Sequence, residues 1–119
     1  LRTATAMTSR EALESLFGAW RSGDALRSAA HFALEGTYRE AGRPPLEGRE
    51  AILAHFTRFF RDGPLWEFFV DDLIVEGERA AVRYRFTLAR AGAEPVERSG
   101  CAFATFDDGT LVEWREYEG

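Results

Sequence analysis

Two carboxyl groups in this chain stand beside aromatic rings. Tyr38 and Glu40 lie two apart in the run Gly36-Thr37-Tyr38-Arg39-Glu40, and Glu116 follows two residues after Trp114 in Trp114-Arg115-Glu116-Tyr117. Residues two apart on a strand share a face, so each run can present an acid next to a ring. A carboxyl taken out of water holds its proton more tightly, and a second carboxylate nearby strengthens that hold. Glu40 and Glu116, assisted by the Tyr38 hydroxyl, are therefore the candidate acid and base for proton transfer near neutral pH. Trp20, Phe56, Tyr84, Phe86 and Trp114 are the candidate ligand-binding walls. The plainer readings make Glu40 an exposed edge residue and Glu116 a terminal-strand acid paired with an arginine.

The two histidines carry less. His31 falls at a helix C-terminus, where a cation also suits the helix dipole; it is kept as a further ligand-binding candidate. His55 sits beside the apolar stripe of a later helix and reads as a core or boundary histidine. Two histidines far apart and the single Cys101 provide no metal-ligand spacing, so neither metal nor cofactor is expected. All 15 basic residues are arginines, which leaves no lysine for Schiff-base chemistry. The glycines occur singly and form no phosphate-cradling loop.

Composition narrows the partners. A net charge of -5 argues against a surface that tracks nucleic-acid phosphates. No apolar run approaches the roughly 20 residues of a membrane span, and the N-terminus lacks a secretory pattern, so a cytoplasmic protein is expected. At 119 residues the chain fits one domain over residues 8–119, with residues 1–7 as an N-terminal tail. An aromatic share of 13% is enough to fill a core and still line a cavity.

The elements that must position these residues fall into two halves. Thr8 and Glu11 have capping-box spacing, and Leu13, Leu16, Phe17 and Trp20 recur at helical intervals, predicting a helix from about Ser9 to Arg21. Asp24 caps a short second helix carrying Leu26, Ala29 and Ala30, whose end, at His31 or past Phe32, the pattern leaves open. A short strand over Gly36–Glu40 and the turn-rich Gly42-Arg43-Pro44-Pro45 follow. Ala51, Ile52, His55, Phe56, Phe59 and Phe60 then mark a third helix, stopped by Gly63-Pro64. From Leu65 onward four long strands alternate with turns at Glu76-Gly77-Glu78, Ala91–Pro95 and Asp107-Asp108-Gly109, an antiparallel meander. Asp71-Asp72 suggests a bulge or bend. Helices first and a meander second indicate α+β, with three helices packed on one face of a curved sheet.

Alternation sets the faces of that sheet. Ala80, Val82, Tyr84, Phe86 and Leu88 point toward the helices, as do Val112, Trp114 and Glu116. Arg98, Gly100, Ala102 and Ala104 are placed inward too, their small size leaving room for a cavity, although the opposite parity stays open. Cys101, Phe103, Leu111 and Tyr117 then make an apolar outer face, which suggests a homodimer.

The order of these elements, with Trp20-Arg21-Ser22-Gly23-Asp24, Gly36–Glu40, Gly48-Arg49-Glu50-Ala51-Ile52 and Gly109 followed by Trp114–Tyr117, resembles the SnoaL-like and nuclear transport factor 2-like proteins from about Thr8 onward. The resemblance implies a cone-shaped fold with a pocket between helices and sheet. Its members include ketosteroid isomerases, limonene epoxide hydrolases, scytalone dehydratases and polyketide cyclases, so it implies no single reaction. By resemblance to the isomerases, Glu40 matches the proton-shuttling base, but Leu16 and Ala102 stand where their oxyanion hole would be. By resemblance to the epoxide hydrolases, Trp114 and Glu116 match pocket positions, while Tyr84 and Phe86 replace an Arg and Asp that the mechanism needs. Three functions stay open: a binder of a small apolar or aromatic molecule, an acid/base isomerase, cyclase, dehydratase or hydrolase, and an interaction domain whose cavity is filled by its own rings.

Overall fold

The computed structural model describes residues 7–61 and 65–118. The first helix, α1 (Ser9–Arg21), opens with the expected reciprocal cap: the Glu11 amide donates to Thr8 Oγ1 at 3.1 Å and the Thr8 amide donates to Glu11 Oε1 at 2.9 Å. Its apolar stripe of Ala12, Leu13, Leu16, Phe17 and Trp20 is buried. Helix α2 (Ala25–Ala30) begins where Asp24 accepts the Arg27 amide at 2.9 Å.

The end of helix α2, open in the sequence, falls at Ala30 with His31 as its C-cap. Phe32 opens strand β1 (Phe32–Arg39) instead, because the backbone on either side of it is claimed from elsewhere: the Leu111 amide donates to the His31 carbonyl at 2.9 Å and Arg49 Nε donates to the Phe32 carbonyl at 2.9 Å. Long-range pairing thus settles what local helical spacing leaves open. Phe32 and Tyr38, six residues apart, both turn inward, with a register irregularity against β6 between Phe32 and Thr37, and Glu40 sits just beyond the strand end. A two-residue strand β2 (Leu46–Glu47) and helix α3 (Arg49–Arg61) complete the first half. The Gly63-Pro64 stop lies outside the described residues, as does the segment preceding Met7.

The meander follows as β3 (Leu65–Glu76), β4 (Arg79–Ala89), β5 (Val96–Asp107) and β6 (Thr110–Glu118). The sheet order is β2-β1-β6-β5-β4-β3, antiparallel throughout except where β1 runs parallel to β6. The architecture is α+β, a curved six-stranded sheet holding three helices, as the sequence implies. Among the described residues no helix is long and apolar enough to cross a membrane.

Two bulges decide which side chains meet the helices. At Asp71 the β3 register slips against β4, so Phe68 and Leu73 both face inward while Asp71 turns out to Arg85. The second lies between β5 and β6, where Thr105 pairs Glu113 but Phe106 pairs Leu111. Val112 is the extra residue, and one inserted residue reverses the parity of everything before it. Leu111 is therefore buried at 1% exposure beside Trp114, not on the outer face where strict alternation puts it. The β5 parity follows the small-residues-inward reading: Ala102 and Ala104 are buried and Phe103 is 54% exposed. Those alanines belong to the closed core with Leu13, Leu16 and Phe17 and line no cavity.

Candidate active site

Three elements bring the carboxyl groups together. Strand pairing of β1 with β6 sets Tyr38 beside Trp114, and two residues on, Glu116 shares the inward face of β6. Tyr38 Oη donates to Glu116 Oε2 at 3.0 Å, and Trp114 Nε1 donates to the same oxygen at 2.8 Å. Tyr84, from β4, lines the same cavity as Glu116, and its hydroxyl favours the ionised form of the Glu116 carboxyl. Its ring fits because Gly100 lies opposite it: a Cβ on Gly100 would sit 3.0 Å from Tyr84 Oη and 2.8 Å from the Tyr117 carbonyl.

These contacts enclose an inner cavity of about 90 Å³. Glu116, Glu40 and Tyr38 line one side, and Trp20, Phe56 and Tyr84 close in around them. Phe59, Phe60, Trp66, Phe68 and Phe86 supply the rest of an almost wholly aromatic wall, with His55 at its edge. Helix α1 contributes Trp20, whose carbonyl accepts Trp66 Nε1 at 3.0 Å and whose ring meets Trp114 edge-on at 5.2 Å. Trp20 Nε1 itself is buried without a partner among the described residues. The cavity opens into a wider mouth of about 520 Å³ that shares Glu40, His55, Tyr84, Phe86 and Glu116 with it.

Electrostatics give Glu116 its chemistry. Burial pushes its pKa up from 4.5 to about 7, and the nearby Glu40 adds to the rise. The hydrogen bonds from Trp114 and Tyr38, with the Tyr84 hydroxyl, favour the ionised form, but burial outweighs them. Tyr38 and Tyr84 are both pushed up, first by burial and then by Glu116, so their hydroxyls stay protonated donors. His55 Nε2 lies 3.6 Å from Glu40 Oε1, and its ring packs on Tyr38 at 5.3 Å. Burial lowers the His55 pKa although Glu40 opposes the shift, so the imidazole is neutral at pH 7. The site thus holds a carboxyl present in both protonation states at neutral pH, with a fixed hydroxyl donor in Tyr38, the Tyr84 hydroxyl and a neutral imidazole beside it.

Of the sequence-derived candidates, Tyr38, Glu40, Glu116, Trp20, Phe56, Tyr84 and Phe86 meet at the cavity. Trp114 stands one layer behind, fully buried, and acts on the site through its bond to Glu116. His31 does not join them. It caps α2, and its pKa is lowered by burial and by Arg27. His55, read as a boundary residue, does reach the site. The signal was its place in the stripe with Phe56, Phe59 and Phe60, all of which turn out to line the cavity. Phe68 and Trp66 have no comparable local signal, since β3 is apolar on both faces. Among the described residues no three of His, Cys, Asp and Glu converge as metal ligands.

Residues 13–114 match the SnoaL-like domain model. The chain belongs to the SnoaL-like family. Similar solved structures show the same fold. A limonene-epoxide-hydrolase-like epoxide hydrolase from M. tuberculosis is 19% identical, with 99% of this chain and 83% of that one covered and a TM-score of 0.82. The epoxide hydrolase/cyclase-like enzyme SalBIII, linked to pyran ring formation in salinomycin, is 18% identical, covering 93% and 90%, with a TM-score of 0.81. A protein with a ketosteroid isomerase-like fold from Catenulispora acidiphila, bound to trimethylamine, is 17% identical, covering 92% and 85%, with a TM-score of 0.82. None of the curated proteins compared is similar enough in sequence to match. SnoaL-like folds thus carry cyclase, hydrolase and isomerase-like chemistries, and at these identities the likeness shows the fold alone.

Proposed function

We propose that this SnoaL-like protein binds a compact, largely apolar or aromatic molecule and moves a proton on it, with Glu116 as the general acid or base. The observation that carries this reading is the Glu116 carboxyl: it lines an aromatic cavity, accepts from Tyr38 and Trp114, and has its pKa pushed up to about 7. A group poised there can accept or return a proton with little driving force lost. Glu40 and His55 at the cavity edge give that proton a route to solvent, and the Tyr38 and Tyr84 hydroxyls can steady an oxygen on which charge develops. The cavity is open and an acid lines it, which favours an enzyme over a passive binder and over a self-filled interaction domain.

The test uses two probe reactions: exchange of the α-protons of phenylacetone into D2O, followed by NMR, and opening of styrene oxide. Saturable turnover of either probe, with a pH profile inflecting near 7 and loss in Glu116→Gln, supports the proposal. Absence of turnover above the buffer rate for both probes would sink it.

A second copy of the chain is the partner proposed for the outer sheet face. Phe69, Ile74, Phe103 and Tyr117 are exposed there, and Asp71, Asp72 and Glu113 pair with Arg85, Arg83 and Arg115. These pairs offset one another's charge next to the exposed rings, so two copies can bring the apolar part of that face together.

A further inference from the structure

The mouth of the cavity carries a feature that the acid/base reading does not use. Arg98 lies opposite Phe86 in the β4–β5 ladder, on the same inward row as Gly100, Ala102 and Ala104. An arginine on a row that otherwise feeds the core is out of pattern. Arg90 follows the end of β4 on the corresponding row. Arg43 comes from the other wall, where its amide donates to the Glu40 carbonyl at 3.2 Å and closes a turn with Gly42 at φ 74°. All three line the mouth and are exposed.

Their guanidinium groups lack partners among the described residues and share one opening. Acids outnumber bases 20 to 15 in this chain, and four arginines elsewhere on the sheet are paired: Arg39 and Arg115 with Glu113, Arg83 with Asp72, Arg85 with Asp71. The guanidinium groups of Arg43, Arg90 and Arg98 make no hydrogen bond or ion pair with a described residue, although Glu118 lines the same mouth. Glu40, the nearest acid to Arg43 in sequence, faces His55 instead. Three guanidinium groups therefore face one opening in an acidic protein, with donors free to grip an oxyanion.

We infer that the substrate is an amphipathic carboxylate, its apolar or aromatic head in the inner cavity and its anionic tail held at the mouth by Arg43, Arg90 and Arg98. This rests on the proposed function, because the head must enter the same cavity. The tail fixes which carbon meets Glu116, so the arginines are binding and specificity residues and take no part in the proton transfer. A bidentate arginine contact to a carboxylate is among the stronger polar contacts available.

The experiment compares phenylacetate, 3-phenylpropionate and 4-phenylbutyrate with their neutral amides by calorimetric titration, on the acid side of the Glu116 midpoint. The expected result is that at least one acid binds about tenfold or more tighter than its amide. Salt should weaken the acid and spare the amide. Arg43→Gln and Arg98→Gln, each made separately, should bring the ratio toward one. Arg79→Gln, the same charge change at the far end of β4, should leave it intact. Amides that bind as well as the acids, or a ratio that falls equally in Arg79→Gln, overturn the anion site while leaving the cavity reading in place. Failure of all six compounds to bind overturns the cavity reading itself and this inference with it.

Discussion

Replacing Glu116 with Gln should make the protein more stable at alkaline pH and leave it nearly unchanged in mild acid. The unfolded chain carries Glu116 at about 4.5, the folded one at about 7. Between those values the native state holds a proton that the unfolded state has released, so this group's contribution to stability is full below about 4.5 and is lost as pH rises through 7. Moving a carboxyl over that span corresponds to about 3 kcal/mol. Glu116 keeps some solvent contact at the mouth, so about 2 kcal/mol is the reasonable expectation. Glutamine has nearly the same shape, keeps an oxygen to accept from Trp114 and Tyr38, and does not titrate. Urea unfolding of both proteins at steps from about pH 5 to about pH 8.5 isolates the difference, because other groups titrate in both. His31 and His55, whose lowered values make them lose stability toward acid, largely cancel in this way. The variant's advantage should grow by about 2 kcal/mol across the range. A difference that stays flat with pH would refute the assignment of a neutral-range midpoint to Glu116, and with it the basis of the proposed chemistry.

The donors around that carboxyl can be tested one at a time. Tyr38→Phe removes the 3.0 Å bond that favours ionised Glu116, so the Glu116 midpoint should rise by about one unit, measurable by NMR of labelled glutamate; an unchanged midpoint contradicts the contact. Gly100→Ala forces a methyl group to within 2.8 Å of the Tyr117 carbonyl and 3.0 Å of Tyr84 Oη. It should destabilise by about 1–3 kcal/mol and push Tyr84 away from Glu116, and a urea midpoint equal to wild type would show that the backbone yields freely. Phe103→Glu places a charge on the outer sheet face at a 54% exposed position. Sedimentation should show a dimer for wild type and a monomer for the variant, whereas a monomeric wild type removes the proposed partner.

Local rules reach some of this molecule and miss the rest for identifiable reasons. The Thr8–Glu11 box, the Asp24 cap and the stripe of α3 act within a few residues, so spacing alone reveals the helices, and each strand of the meander advertises itself by alternation. Alternation misplaces Leu111 and leaves Phe32 undecided because their conformations are set across the sheet, one by the Val112 bulge and the other by pairing of β1 with β6. The site divides along the same line. Tyr38, Glu40 and Glu116 can be picked out as acids and donors on inward rows, but nothing in the local sequence says that Tyr38 and Trp114 share one oxygen of Glu116. That juxtaposition needs the parallel β1–β6 pair, which joins residues 78 positions apart. His55 shows the converse: its spacing placed it on the right stripe, yet a lone histidine among apolar residues is chemically silent until Glu40 arrives from another element. Sequence therefore supplies the chemical groups, while their protonation states arise from burial, which only the assembled sheet and helices create. The acid/base reading accordingly stands on Glu116 in its folded surroundings, and not on Glu40, the position that resemblance to the isomerases brings forward.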